Sequence, residues 1–268
     1  MNKQFDILVI DDEQVIVDAV SKICAAEGLK VDSSINAADA ILKIKKNVYK
    51  IIICDIMMPE VDGFQFLDEV VKNNIMSPVI MTTGFSTVEN AVRSLYNGAI
   101  DFIPKPFTAD ELTNSVYRGL RYLDIQKSLA KYSSGNNDAS IIYVPCPAKY
   151  YRLGYSSWAS PENMGSILIG VTDLFLKTID PIIEIDLLKI DDEIIQGNSC
   201  IQLKTRDGLN HSVLSPVSGR IIEKNEMLLS ETSLVEKDPY FKGWFYRVIP
   251  SDSEYELKQL TPCSSDRL

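Results

Sequence analysis

One histidine, His211, stands among 268 residues, and the five cysteines (Cys24, Cys54, Cys146, Cys200 and Cys263) form no Cys-x-x-Cys pair. That scarcity argues against a zinc site, whose ligands recur at short Cys and His spacings. An odd, scattered set of thiols also makes no disulfide framework, so reduced cysteines are expected. Long apolar runs are missing too: Ile7-Leu8-Val9-Ile10 is representative, far short of the roughly 18 residues of a membrane-spanning helix. The N-terminal residues, one early lysine and a short apolar run closed by Asp11-Asp12-Glu13, lack the pattern of a signal peptide. The expectation is a cytoplasmic protein with no membrane partner. Basic charge is in deficit throughout, with 12 Lys and Arg against 17 Asp and Glu up to Tyr122 and 15 against 20 beyond it. Neither part has the basic excess that binding a phosphate backbone demands, so no nucleic-acid partner is expected.

What is present is an ordinary globular composition, 46% hydrophobic and 24% charged, in a chain long enough for two domains. The first 122 residues alternate short apolar runs with helical patterns. Strands are expected at Phe5 to Ile10, Lys30 to Ser34, Ile51 to Cys54, Pro78 to Met81 and Asp101 to Ile103. Between them, apolar residues recur at helical spacing (Val15, Ile16, Ala19, Val20 and Ile23; then Ala37, Ala40, Ile41 and Ile44). Further helices are expected over Gly63 to Lys72, Thr87 to Asn97 and Thr108 to about Tyr122. Five strand–helix units imply an α/β fold, a parallel sheet covered on both faces. Ligands of such sheets sit at the carboxyl ends of the strands.

Three carboxylates fall at those ends: Asp11 and Asp12 after the first strand, Asp55 after the third. Each alone is readable as a helix cap. Together they form a cluster of like charge that needs a cation, and a hard divalent ion with oxygen ligands is the natural one. Thr83 ends the fourth strand and Lys105 follows the fifth, adding a hydroxyl and an ammonium. The set suits phosphoryl transfer to a carboxylate.

The pieces Ile10-Asp11-Asp12-Glu13, Asp55-Ile56-Met57-Met58-Pro59-Glu60-Val61-Asp62-Gly63, Thr82-Thr83-Gly84 and Pro104-Lys105-Pro106-Phe107 carry a resemblance. In order and spacing, residues 1–122 resemble the receiver domain of two-component response regulators. The resemblance implies a flavodoxin-like, doubly wound five-stranded sheet with Asp55 as phospho-acceptor. Asp11, Asp12, Asp55 and the backbone carbonyl of Met57 would hold Mg²⁺, while Thr83 and Lys105 contact the phosphoryl group. Phe102 stands where the family has a switch aromatic, although an ordinary core aromatic is its other reading. A sensor histidine kinase or phosphotransfer protein is the implied partner, and no enzyme activity beyond autophosphatase is implied.

Residues 123–146 read as a linker, best marked by Ser133-Ser134-Gly135-Asn136-Asn137. The texture of 147–260 is β-rich, with short helices. Ile182 to Leu188 is strand-like, Ile201 to Thr205 alternates, Asp207-Gly208 signals a hairpin, and Val213 to Val217 returns. Ser251 with Glu254 reads as a capping box opening a helix through Leu260, and 261–268 as a tail. Ile169-Gly170-Val171-Thr172-Asp173, Pro216-Val217-Ser218-Gly219-Arg220-Ile221, Asp238-Pro239-Tyr240 and Gly243-Trp244 make this region resemble the H protein of the glycine cleavage system, a lipoyl-carrier fold built as a flattened barrel. That family carries its lipoyl lysine at a hairpin tip about eight residues before the Pro-Val-Ser-Gly corner. Gly208 or Asp207 stands there, and the nearest lysine, Lys204, falls inside the preceding strand. His211, Trp158 and Trp244 read as packing or edge residues.

The expected function is a response regulator whose second domain, without lipoate, binds a protein target. The alternatives are a phosphorylation-gated lipoyl-type carrier linked to glycine cleavage and a bare phosphoryl relay.

Overall fold

The computed structural model describes residues 5–85, 87–133 and 143–267. The chain forms two compact units whose main division falls between Asp138 and Ala139. Among the described residues no helix is long and apolar enough to cross a membrane.

In the first unit the strands are β1 (Ile7–Ile10), β2 (Val31–Ser34), β3 (Ile51–Asp55), β4 (Val79–Thr83) and β5 (Asp101–Pro104). The helices are α1 (Gln14–Ala26), α2 (Ala37–Lys46), α3 (Gly63–Lys72), α4 (Val88–Tyr96) and α5 (Ala109–Ser133). All five strands are parallel, in the order β2-β1-β3-β4-β5. Every residue of β1, β3 and β4 is buried, which is why they read as unbroken apolar runs rather than alternating ones. Leu8, Ile10, Ile52 and Cys54 pack with α2 and α3 on one face; Ile7, Val9, Ile51 and Ile53 pack with α1 and α5 on the other. The strand order reverses at β1 and β3, so the crevice at their carboxyl ends is the topological switch point.

Helix α5 runs 11 residues beyond its expected end at Tyr122. Leu123 to Ala130 holds no glycine or proline and consists mostly of good helix formers, so nothing stops the helix there. Residues 123–133 are therefore helix rather than linker, and the Ser134 to Asn137 part of the expected linker lies outside the described residues.

The second unit contains β6 (Tyr151–Leu153), β7 (Ser157–Pro161), β8 (Ile167–Val171), α6 (Asp173–Leu176), β9 (Ile182–Leu187) and β10 (Glu193–Ile194). It continues with β11 (Ser199–Thr205), β12 (Asn210–Leu214), β13 (Gly219–Lys224), α7 (Met227–Ser230) and α8 (Ser233–Lys237). β14 (Trp244–Pro250), α9 (Ser253–Leu257) and β15 (Thr261–Pro262) complete it. A seven-stranded antiparallel sheet, β10-β13-β14-β8-β7-β6-β15, accompanies a three-stranded one, β12-β11-β9. The buried Tyr246 hydroxyl ties the two together, donating to Cys200 O at 3.1 Å and accepting from Leu188 N at 2.7 Å.

Two expectations at the C-terminus are corrected. The cap of α9 is Asp252, whose carboxylate accepts from Tyr255 N at 3.1 Å, and the Ser251 N–H that a capping box would give to Glu254 goes instead to Ser218 O at 3.0 Å. The helix stops at Leu257. Residues 261–267 are no tail: Thr261 and Pro262 pair with β6, and Cys263 is fully buried in the aromatic cluster of Trp158 and Tyr240.

Candidate phospho-acceptor site

Register alone brings the acids together. Ile10 pairs with Cys54, so the next residues along β1 and β3 are Asp11 and Asp55. They are 2% and 3% exposed. One oxygen of each is held by a backbone amide: Glu13 N donates to Asp11 Oδ1 at 3.0 Å, and Met57 N donates to Asp55 Oδ2 at 2.6 Å. The second oxygen of each meets the Lys105 ammonium, at 2.6 Å in both cases. Lys105 is placed by β5: its N–H donates to Thr83 O at 2.8 Å, one step beyond the Thr83–Pro104 register pair. The Lys105–Pro106 peptide is cis.

Thr83 is fully buried, and its hydroxyl accepts from Phe85 N at 3.1 Å. Phe102, half-buried, packs against the cluster on the α2–α3 face. Its N–H donates to Asp101 Oδ1 at 2.9 Å, and the Asp101 carboxylate also takes Ser115 Oγ and Arg118 from α5. That tie between β5 and α5 was not anticipated, since helix spacing does not reveal which strand end a helix faces.

Two local features fix the loop after Asp55. Asp62 caps α3 reciprocally, accepting from Gln65 N at 2.8 Å while its own N–H donates to Gln65 Oε1 at 3.0 Å. The Asp-x-x-Gln spacing carried that signal. Gly63 is needed for a different reason: a Cβ there would lie 2.2 Å from Asp55 O and 2.8 Å from Ile56 Cα. Spacing gives no hint of that approach.

The expectation of three converging carboxylates is met by two. Asp12 is exposed, and among the described residues no group of three His, Cys, Asp or Glu side chains is placed to hold a metal. With Lys105 lying between Asp11 and Asp55, the pair already has a cation, and nothing draws the third acid inward. The donor set still fits Mg²⁺, which binds through one or two carboxylates and keeps several waters. Asp11, Asp55 and the Met57 carbonyl are all hard oxygens.

Burial pushes the Asp55 carboxyl above its ordinary 3.8, Asp11 adds to this, and Lys105 opposes it. Burial disfavours the Lys105 charge, but its hydrogen bonds to Asp11 and Asp55 outweigh this and leave its pKa raised. For Asp55 the linkage runs against the fold: a raised carboxyl favours folding below the unfolded pKa, and that contribution is lost as pH rises through the folded value. Asp55→Asn is therefore expected to unfold at a higher temperature than the parent at pH 7 without Mg²⁺, with the gap closing as pH falls toward 3.8. A gap independent of pH counts against this account.

The matches to known proteins divide as the chain does. Residues 7–117 match the response regulator receiver domain, and residues 149–265 match the glycine cleavage H-protein. The transcriptional regulatory protein ZraR of Klebsiella oxytoca is 32% identical over 126 residues, covering 47% of this chain and 28% of its own length. The regulatory protein AtoC of Escherichia coli K12 is 33% identical over 123 residues, covering 46% and 27%. The transcriptional regulatory protein DltR of Streptococcus agalactiae serotype III is 35% identical over 106 residues, covering 40% and 47%. The chain thus spans about a quarter to a half of these relatives. Among solved structures, the receiver domain of NtrX from Brucella abortus is 38% identical, covering 43% of this chain and 98% of that one at a TM-score of 0.42. What the chain combines is a segment matching the response regulator receiver domain and a segment matching the glycine cleavage H-protein.

Proposed function

We infer that the chain is a two-component response regulator in which Asp55 accepts a phosphoryl group from a histidine kinase or phosphotransfer protein. The observation that carries this is the state of Asp55: a buried carboxylate at the switch point, one oxygen on the Met57 amide and the other on Lys105. An oxygen of Asp55 attacks phosphorus, the donor's nitrogen leaves, and an acyl phosphate forms. Lys105 holds the reacting carboxylate and then pairs with a phosphoryl oxygen. Asp11, Asp55 and the Met57 carbonyl, with Asp12 at the rim, are the residues that would hold Mg²⁺. Bound there, the ion supplies positive charge against the phosphoryl oxygens. The Thr83 hydroxyl leaves Phe85 N for the new anion, and the space it vacates admits Phe102, so that the β5 surface has two states.

The second domain serves as a protein-binding output without lipoate. Lys204 supports this reading: it lies within β11, opposite Glu184 of β9, and its ammonium sits 3.5 Å from that carboxylate. The tip itself is closed by Asp207, which accepts from Thr205 Oγ1 at 2.6 Å and Leu209 N at 3.2 Å, with Gly208 at φ +85°. The setting is the cytoplasm.

Intact-mass and peptide analysis of the chain from its own host, before and after acetyl phosphate with Mg²⁺, tests both parts. One phosphoryl adduct is expected, absent in Asp55→Asn, with no lipoyl adduct. A lipoylated lysine would instead establish a phosphorylation-gated carrier.

A further inference from the structure

Two motifs of the second unit, Ile169 to Asp173 and Asp238 to Tyr240, have no part in the function above. The structure joins them through one indole. Trp158 Nε1 donates to Val171 O at 3.0 Å and to Pro239 O at 3.2 Å. Gly170 leaves room for the ring, since a Cβ there would lie 2.4 Å from it. Thr172 caps the turn that follows, accepting from Phe175 N at 3.1 Å and donating to Tyr155 O. Asp173 and Tyr240 are thereby fixed side by side, 2% and 4% exposed.

Both point at the backbone of one residue. Val144 N donates to Asp173 Oδ2 at 2.6 Å, the Tyr240 hydroxyl donates to Val144 O at 2.9 Å, and Asp173 N donates to the same hydroxyl at 3.1 Å. The three bonds close a ring that reads the N–H and C=O of Val144 and not its side chain, which is half exposed. Two residues on, Cys146 is buried with Trp158, Tyr240 and Cys263. A buried carboxylate and a buried phenol are costly unless bonded; the Lys177 ammonium lies 3.8 Å from Asp173 Oδ1, and Val144 supplies a donor to Asp173 Oδ2 and an acceptor for the Tyr240 hydroxyl.

We propose that Asp173 and Tyr240 form a peptide-backbone clamp, occupied by the chain's own residue 144, which fixes the segment entering the second unit. Movement of that segment is thereby passed to the loops carrying Asp173 and Tyr240. The passing-on rests on the receiver reading above; the clamp does not.

The test is amide hydrogen exchange on the full chain, comparing the parent with Val144→Ala, Val144→Pro and Tyr240→Phe, each with and without acetyl phosphate and Mg²⁺. Intact mass reports the Asp55 adduct in parallel. Proline removes the N–H that Asp173 accepts, alanine keeps it, and Tyr240→Phe removes only the hydroxyl. The Val144 amide should be protected about 100-fold or more in the parent and in Val144→Ala. Exchange across 169–176 and 238–244 should rise about tenfold in Val144→Pro and Tyr240→Phe. Phosphorylation should alter those loops in the parent, and in neither broken-clamp variant, while receiver peptides respond in all four. An unprotected Val144 amide, or loops unchanged by both Val144→Pro and Tyr240→Phe, overturns the clamp. A modified Asp55 with no response in the parent's loops overturns the coupling. No adduct on Asp55 overturns the receiver reading instead, and the clamp is then decided by the phosphate-independent comparisons.

Discussion

Lys105→Gln should lower the unfolding temperature of the receiver in EDTA by roughly 10 °C, the equivalent of about 3 kcal/mol for a domain of this size. Lys105 is the cation that Asp11 and Asp55 share, and both acids are buried. Removing it leaves two like charges side by side at low local dielectric, which costs far more than the loss of a surface ion pair. Added Mg²⁺ should then stabilise the variant more than the parent. In the variant the ion replaces a missing charge; in the parent it competes with an ammonium already in place, and binding to the folded state alone raises its stability. On the proposed function, phosphorylation by acetyl phosphate should fall as well, since Lys105 is the group assigned there to pair with a phosphoryl oxygen. The measurement is a thermal melt of both proteins with EDTA and with Mg²⁺. Equal midpoints in EDTA, or an equal response to Mg²⁺, would show that the bridge seen here does not govern the pocket.

Two glycines of the receiver motifs should behave oppositely. Gly63→Ala places a methyl group 2.2 Å from Asp55 O, a separation that backbone must move to relieve. What must give way is the end of β3 and the loop after it, where the Met57 amide holds Asp55 Oδ2, an oxygen of the proposed phospho-acceptor. Overpacking of this kind costs about 1–3 kcal/mol, and a misplacement near 1 Å at a reacting group costs about 100-fold in rate. Gly84→Ala meets nothing within 4 Å, so a stability change within about 0.5 kcal/mol and nearly unchanged phosphorylation are expected. Rates of adduct formation by mass spectrometry, beside melts of both variants, decide the matter. Similar behaviour of the two would remove the close approach as the reason for Gly63.

Much of the first unit was legible in the chain itself. Buried parallel strands demand continuous apolar runs, and such runs marked β1, β3 and β4; acids at the ends of β1 and β3 marked the switch point because carboxylates have few reasons to crowd there. Gly63 to Lys72 was readable as a helix to the residue, since Asp62 and Gln65 form its cap locally. The end of α5 was less legible: a helix with no stop signal ends where tertiary contacts decide.

The sequence by itself determined the α/β fold, the position of Asp11, Asp12, Asp55, Thr83 and Lys105 at or just beyond strand ends, and the Asp207-Gly208 hairpin, because periodicity, spacing and turn chemistry are local. Only the tertiary structure decided that two acids rather than three enter the pocket, that one ammonium bridges them, and that Gly63 must lack a side chain. It also decided that Val144 belongs to the second unit, held by residues 29 and 96 positions away. These depend on groups distant in the chain competing for the same charge or the same space, and local patterning does not encode that competition.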